Sequence, residues 1–261
     1  MADREKLIRY YKGTEGADAA IKLVDMAETV SKNRKFRLSG FLDPYGCEIA
    51  ETIAANYPGI KVSFDGGYIG AERQRAAFVH EDFMGKANFD LAAVEAVWND
   101  SFYHITHRDV LGALIGLGID RGQIGDLLLK PGAVVILADT KMADFIVQNY
   151  GQIAAAKVTC SLTDLAAIEP REERCKEIKA TVASLRIDSV AAAGFGCSRS
   201  KAAADIEADK LKLNWQSVKN ASQSVKEGDI LSMRGRGRVE VAEVRGQTKK
   251  GRTGLSLKRY I

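Results

Sequence analysis

Leu185-Arg186-Ile187-Asp188-Ser189-Val190 opens the stretch whose reading decides the fold. It continues through Cys197-Ser198-Arg199-Ser200-Lys201-Ala202, Lys210-Leu211-Lys212-Leu213-Asn214-Trp215, Lys226-Glu227-Gly228-Asp229 and Arg234-Gly235-Arg236-Gly237-Arg238. The spacing predicts a short helix over 185–193, with Leu185, Val190 and Ala193 inward, Arg186 outward, and Gly194-Phe195-Gly196 as its stop. Ser198 suits the N-cap of a second helix over 199–208, whose first turn holds Arg199, Ser200 and Lys201. A helix N-terminus presents unpaired amides and partial positive charge, so added Arg and Lys make it an anion site of the phosphate-binding kind. Lys210 and Lys212 alternate with Leu211 and Leu213 in a strand that Asn214 ends. A turn over 225–229 leads to a hairpin of strands 230–234 and 238–244. Its tip carries Arg234, Arg236 and Arg238, and Gly235 and Gly237 let that backbone approach a partner closely. Such a surface suits a phosphate backbone, and RNA is the expected ligand.

The charge distribution supports this reading. The chain has 261 residues with 38 Lys and Arg against 34 Asp and Glu, a net +4. Residues 181–261 hold 16 Lys and Arg against 8 Asp and Glu, a net +8, so the remainder carries −4. A basic end on a mildly acidic body points to a polyanionic partner for that end. The length allows two compact domains or three small ones. No apolar run reaches the 18 residues that a membrane helix needs, and the start has neither a signal nor a transit pattern. Cys47, Cys160, Cys175 and Cys197 lack paired spacing and read as reduced thiols, without a disulfide framework or zinc site. A cytoplasmic monomer is expected, with no membrane association, no metal and no cofactor.

Ahead of the basic end, two α+β patterns follow one another. Residues 3–32 predict two helices broken near Gly13–Gly16, then a strand over 35–42. Asp43-Pro44 caps and starts a helix through Asn56, and strands follow over 60–65 and 74–80. A small α+β domain over 1–82 is expected. The next segment predicts strands at 91–98, 124–129, 133–138 and 156–161 and helices at 107–118 and 140–150. This β-α-β-β-α-β order is the ferredoxin-like plait shared with RNA-recognition-motif domains, over 83–165. The exposed-aromatic signature of those RNA-binding domains is missing from its central strands, so bases are not expected to stack there. Residues 165–183 read as a polar bridge, and the C-terminal domain as 180–261. Arg73 and Arg75, beside the glycine-rich Gly66–Gly70 turn, are candidates for an additional RNA contact.

The C-terminal pattern resembles the S4-type RNA-binding domain, the alpha-L fold, in order and spacing. That resemblance implies binding of structured RNA, and by position it carries over to Arg186, Ser198, Arg199, Ser200, Lys201, Lys210, Lys212, Asn214, Arg234, Arg236 and Arg238. Ala208-Asp209 departs from the family's glycine-containing turn. Asp188 reads as a local hydrogen-bond partner and Trp215 as a packing residue. The whole chain resembles the YlmH-type S4-domain proteins through Ser39–Tyr45 (Ser-Gly-Phe-Leu-Asp-Pro-Tyr), Gly66–Arg73 (Gly-Gly-Tyr-Ile-Gly-Ala-Glu-Arg) and the Thr106–Ile119 motif. Membership implies binding of rRNA and tRNA on the large ribosomal subunit in ribosome-associated quality control. A looser association is with cell division, or with photosystem II in cyanobacteria.

Enzyme readings find little footing. His104-Ile105-Thr106-His107 and Lys141-Met142-Ala143 only loosely resemble the nucleotide-binding signatures of tRNA synthetases, lacking the glycine of the first and the serines of the second. Pseudouridine synthases carry their catalytic domain after this RNA-binding module, where only some 17 residues follow Val244 here. His104 and His107 have no third ligand nearby, and Thr106 or Asp109 suits a helix cap. A binding protein without catalytic residues is expected; the alternative is an RNA-modifying enzyme or a regulator acting off the ribosome. The double reversal Arg199→Glu, Lys201→Glu is expected to keep the fold and abolish RNA association.

Overall fold

The structure is a computed structural model and describes residues 3–169, 174–248 and 251–260. The chain divides into two compact units, 1–171 and 172–261. The first begins with helices α1 (Arg4–Tyr11) and α2 (Ala17–Asn33), followed by β1 (Phe36–Leu42), α3 (Pro44–Ala55), β2 (Ile60–Asp65) and β3 (Gln74–His80). Asp43 caps α3 by accepting the Gly46 amide at 2.8 Å, and Pro44 occupies the first turn. The antiparallel sheet, in order β1-β3-β2, buries Ala76 and Phe78 against Leu23, Val24 and Ala27 of α2 and Ile49 and Ile53 of α3.

The same unit continues with β4 (Leu91–Val97), α4 (His107–Gly116), β5 (Ile124–Lys130), β6 (Ala133–Asp139), α5 (Thr140–Asn149), β7 (Gln152–Ile153), β8 (Ala156–Lys157) and β9 (Thr159–Thr163). Strand order β5-β6-β4-β9, antiparallel throughout, is the ferredoxin-like arrangement. Val94, Ile124, Val134 and Ile136 pack beneath Val110 and Leu114 of α4 and Ala143 and Ile146 of α5. The expected last strand over 156–161 is divided. Ala154, at φ 50°, turns the chain into the β7–β8 hairpin before β9 joins the sheet. On the other sheet face, Ala93, Val135 and Leu137 are covered by Tyr68, Leu165 and Ile168.

A polar seam locks the two sheets of this unit together. Arg73 donates to the carbonyls of Ile124, Phe41 and Arg121 at 3.2, 2.7 and 3.2 Å. Arg75 donates to Ser39, Phe89 and Asp90 carbonyls at 2.9, 2.9 and 3.3 Å. Asp126 accepts from the Tyr68 hydroxyl and from the Glu72 and Arg73 amides at 2.8, 2.7 and 3.1 Å. A β-carbon on Gly40 would lie 2.7 Å from the Gly122 carbonyl oxygen, so the backbones meet there without side chains between them.

The second unit holds β10 (Cys175–Val182), α6 (Ile187–Phe195), α7 (Arg199–Glu207), β11 (Leu211–Leu213), β12 (Gln216–Ser217), β13 (Ile230–Met233), β14 (Gly237–Gln247) and β15 (Thr253–Tyr260). Its six strands run in order β10-β15-β14-β13-β11-β12. Ile187, Val190, Ala191 and Phe195 of α6 and Ala202 and Ile206 of α7 share one core with Leu211, Leu231, Val239, Val241, Leu255 and Leu257. Strand β10 replaces the polar bridge expected from sequence. Ile178, Ala180 and Val182 alternate in it with the exposed Glu177, Lys179 and Thr181. Strand β15 had no expected counterpart either, though Leu255 and Leu257 bury one of its faces. Helix α6 starts two residues later than expected because Arg186 is its N-cap, and it runs through Phe195 to Gly196 at φ 65°.

Asp209, at φ 53°, ends the α7 turn in the left-handed region. Glycine fits that region without a steric penalty. Asp209→Gly is therefore expected to stabilise the protein by about 0.5–1 kcal/mol in urea unfolding. A loss of stability would show that the aspartate makes a compensating local contact.

Candidate nucleic-acid interface

The α6–α7 corner places most of the expected RNA-binding residues around two buried carboxylates. Asp188 is 3% exposed and stands in the first turn of α6. It accepts Arg186 Nη2 at 2.9 Å, Arg199 Nε at 3.0 Å and the Ser189 hydroxyl at 3.1 Å. Asp205 is 5% exposed and stands on α7. Its Oδ1 pairs with Lys201 at 3.2 Å, one helical turn away, and with Lys210 at 3.4 Å beyond the helix end. Each cluster keeps one net positive charge, and its cations stay at the surface.

Ser198 caps α7 as expected, accepting the Lys201 amide at 3.2 Å and lying 3.1 Å from the Ser200 hydroxyl. The hairpin tip joins this corner through main-chain bonds. The Arg234 amide donates to the Lys210 carbonyl at 2.9 Å, and Arg236 Nη1 reaches the Phe195 carbonyl at 3.4 Å. Arg186, Arg199, Lys201, Lys210, Arg234 and Arg236 are thereby tied through contacts into one cationic ridge.

Three expected positions serve other ends. The Asn214 amide is engaged in a turn, donating to Asp229 at 3.0 Å and accepting the Ile230 amide at 2.9 Å. Arg73 and Arg75 are directed into the seam of the first unit, and burial lowers both guanidinium pKa values. Their geometry serves packing between two sheets rather than a ligand. Residue type next to a glycine-rich turn could not reveal this, because the accepting carbonyls lie up to 51 residues away. Sequence reasoning also missed Asp205, whose spacing of four from Lys201 was the available signal.

The carboxylates set a pH dependence. Burial pushes the Asp188 carboxyl up, but hydrogen bonds from Arg186, Arg199 and Ser189 outweigh it and hold it below the ordinary aspartate value. The Lys201 hydrogen bond, opposed by burial and helped by Lys210, does the same for Asp205. A carboxyl whose folded pKa is depressed contributes stability above its unfolded value, and that contribution is lost as pH falls through the folded one. The thermal midpoint is therefore expected to change little from these groups above pH about 5 and to drop below about 4. The variant Asp188→Asn, Asp205→Asn should show a shallower acid limb. Identical limbs would remove these two groups as the acid trigger.

Burial raises the Cys47 thiol to about 12 and the Cys160 thiol to about 11, so neither offers a thiolate near neutral pH. No group of three His, Cys, Asp or Glu that could hold a metal occurs among the described residues. Thr106 and Asp109 form a reciprocal capping box at the start of α4, which accounts for that motif locally. Among the described residues, no helix is long and apolar enough to cross a membrane.

Three family models match the chain in succession. Residues 15–83 match the model described as "YlmH, N-terminal", 85–167 "Putative RNA-binding domain in YlmH", and 185–231 "S4 domain". The chain is 32% identical over 231 residues to the ribosome-associated protein quality control protein P2 of Bacillus subtilis, covering 88% of this chain and 90% of that one. The chain belongs to the YlmH family. A solved structure, the cell division protein YlmH from Streptococcus pneumoniae, aligns with TM-score 0.51 at 22% identity over 59% of this chain and 95% of its own. That likeness speaks to the fold alone. As a YlmH-family protein the chain carries RNA-binding domains, and its cationic ridge lies in and just beyond the S4 match.

Proposed function

We propose that this protein binds structured RNA without chemistry of its own, engaging rRNA and tRNA on the large ribosomal subunit during quality control of stalled translation in the cytoplasm. The observation that carries the reading is the cationic ridge, held in place by Asp188 in the first turn of α6 and by Asp205 on α7. Arg199 and Lys201 grip phosphates beside the α7 N-terminus, and Arg234 and Arg236 extend the contact along the backbone. Fixed cations lose less conformational freedom on binding than solvated ones, so the carboxylates raise affinity although they lower the local charge. The Bacillus relative, named for ribosome-associated quality control, supplies the setting.

The test is crosslinking of the tagged protein in cells with sequencing of the bound RNA, beside the variant Lys201→Ala, Arg234→Ala. Neither change leaves a buried carboxylate unpaired, because Lys210 remains on Asp205. Large-subunit rRNA and tRNA are expected, with recovery falling about tenfold or more in the variant at physiological salt. In filter binding, the slope of log affinity against log salt should shrink by roughly one to two. A single RNA site off the ribosome, or recovery unchanged in the variant, would overturn the proposal.

A further inference from the structure

Trp215 sits where its backbone should disfavour it. Asn214 and Trp215 form the two-residue connection between β11 and β12, at φ 48° and 63°. Positive φ at both positions is the turn in which Asn-Gly leads, and a bulky side chain at the second is a steric outlier. Asn214 has a local reason to be there, its amide closing on Asp229 and Ile230. Trp215 is partly buried, yet it is absent from the apolar core that gathers on the helix side of this sheet. Strain of this kind persists where the side chain is needed for something else.

The surroundings indicate what that is. The Arg238 guanidinium stands over the indole, 5.7 Å from the ring centroid. Lys212 Nζ lies 3.4 Å from the Trp215 carbonyl. Cross-strand pairing aligns Lys212, Ser232, Arg238 and Tyr260 in one row. Leu211, Leu213, Leu231, Met233 and Val239 bury the other face of the same strands, so this row looks away from the helices. Glu240, the acidic group nearby, is held by the Tyr260 hydroxyl and by Lys258 at 3.7 Å. The row is continuous with the ridge through the hairpin tip, because Arg236 reaches back to α6 while Arg238, two residues on, covers the indole.

We infer that Trp215, flanked by Arg238 and Lys212, is a stacking platform for an unpaired base of the RNA whose phosphates the α6–α7 ridge holds. The inference rests on the proposed function and deepens it from phosphate grip to base contact. An RNA strand fits the face because cations flank an aromatic ring, the combination used for unpaired bases; every base has a face to stack and every linkage a charge. Paired bases are already stacked on their neighbours, so the platform selects loops and single-stranded ends over continuous duplex.

The experiment compares the full chain with Trp215→Gly, Trp215→Tyr and Lys201→Ala, Arg234→Ala. Each is titrated with bulk tRNA, which offers loops and a single-stranded end, and with a blunt RNA duplex. Trp215→Gly is expected to melt at the same temperature or higher, since glycine removes the strain, yet to bind tRNA roughly five- to a hundredfold more weakly. Trp215→Tyr should keep most of the affinity, and duplex binding should change little. The chain has 2 tryptophans, so tRNA quenching present in the unaltered protein and lost in Trp215→Gly reports the stacked indole. A lower melting temperature for Trp215→Gly would make the indole a packing residue and overturn the inference. Full affinity in Trp215→Gly with loss in Lys201→Ala, Arg234→Ala would overturn stacking and leave the phosphate reading standing. No association of the unaltered protein with either RNA would overturn both.

Discussion

The double variant Arg186→Ala, Arg199→Ala is expected to lower the thermal midpoint by roughly 10 °C or more, and a third change, Asp188→Asn, to restore much of the loss. Asp188 is 3% exposed and carries a charge whose main partners are these two guanidinium groups. Removing one partner of a buried pair costs more than the pair contributes, because the remaining charge keeps its desolvation penalty without compensation. With both gone, Asp188 must either stay ionised with the Ser189 hydroxyl as its recorded donor or take up a proton. Either way the unfolded state gains. Asparagine removes the stranded charge while keeping the shape, which is why it should rescue the fold without restoring the ridge. Melts followed by circular dichroism on the full chain check both steps. An unchanged midpoint in the double variant would show that Asp188 finds other donors and does not pin the corner.

The same geometry changes how RNA-binding variants are designed. Arg199→Glu with Lys201→Glu, expected from sequence to spare the fold, would set new carboxylates beside Asp188 and Asp205. Its loss of RNA would mix repulsion of phosphate with damage to the corner. Lys201→Ala with Arg234→Ala avoids this. The rescued triple variant adds a separate probe: a folded protein that has lost Arg186, Arg199 and the Asp188 charge, and whose RNA affinity reports what those arginines supply.

The elements that could be read from the sequence were those whose signals are local. Ser198, Asp43-Pro44 and Thr106 cap the helices expected of them, and the β-α-β-β-α-β order held because each apolar run has its own period. Strands β10 and β15 escaped because each carries one thin apolar row, Ile178-Ala180-Val182 and Leu255-Leu257, among charged residues. They become strands by pairing with each other over eight residues, a contact that joins positions more than 70 apart. The site divides in the same way. The ridge cations were legible from helix starts and alternation, but their carboxylate partners and the role of Asn214 depend on which strands come together. Arg73 and Arg75 mark the limit most clearly, since an arginine beside a glycine-rich turn looks the same whether it faces RNA or a neighbouring sheet.

Asp126→Ala tests the seam those arginines belong to, and it is expected to cost about 3 kcal/mol in urea unfolding. Its carboxylate gathers two main-chain amides and a phenol from the Tyr68–Arg73 loop onto the first residues of β5. Hydrogen bonds to a charged group contribute about 1.5–3 kcal/mol each, and amides left without acceptors add a desolvation penalty, although partial access to water tempers both. The arrangement predicts a graded series. Tyr68→Phe removes one donor from Asp126 Oδ2 and should cost about 1 kcal/mol. Asp126→Asn keeps one acceptor oxygen and turns the other into a donor facing donors, so it should fall between the two. The seam also supplies contact between the two sheets of the first unit, alongside Arg73, Arg75 and the Gly40–Gly122 approach. Weakening it should therefore reduce cooperativity as well as stability, with the unfolding transition broadening as the sheets begin to melt separately. A loss below about 1 kcal/mol with an unbroadened transition would mean that the arginine-to-carbonyl bonds hold the sheets without Asp126.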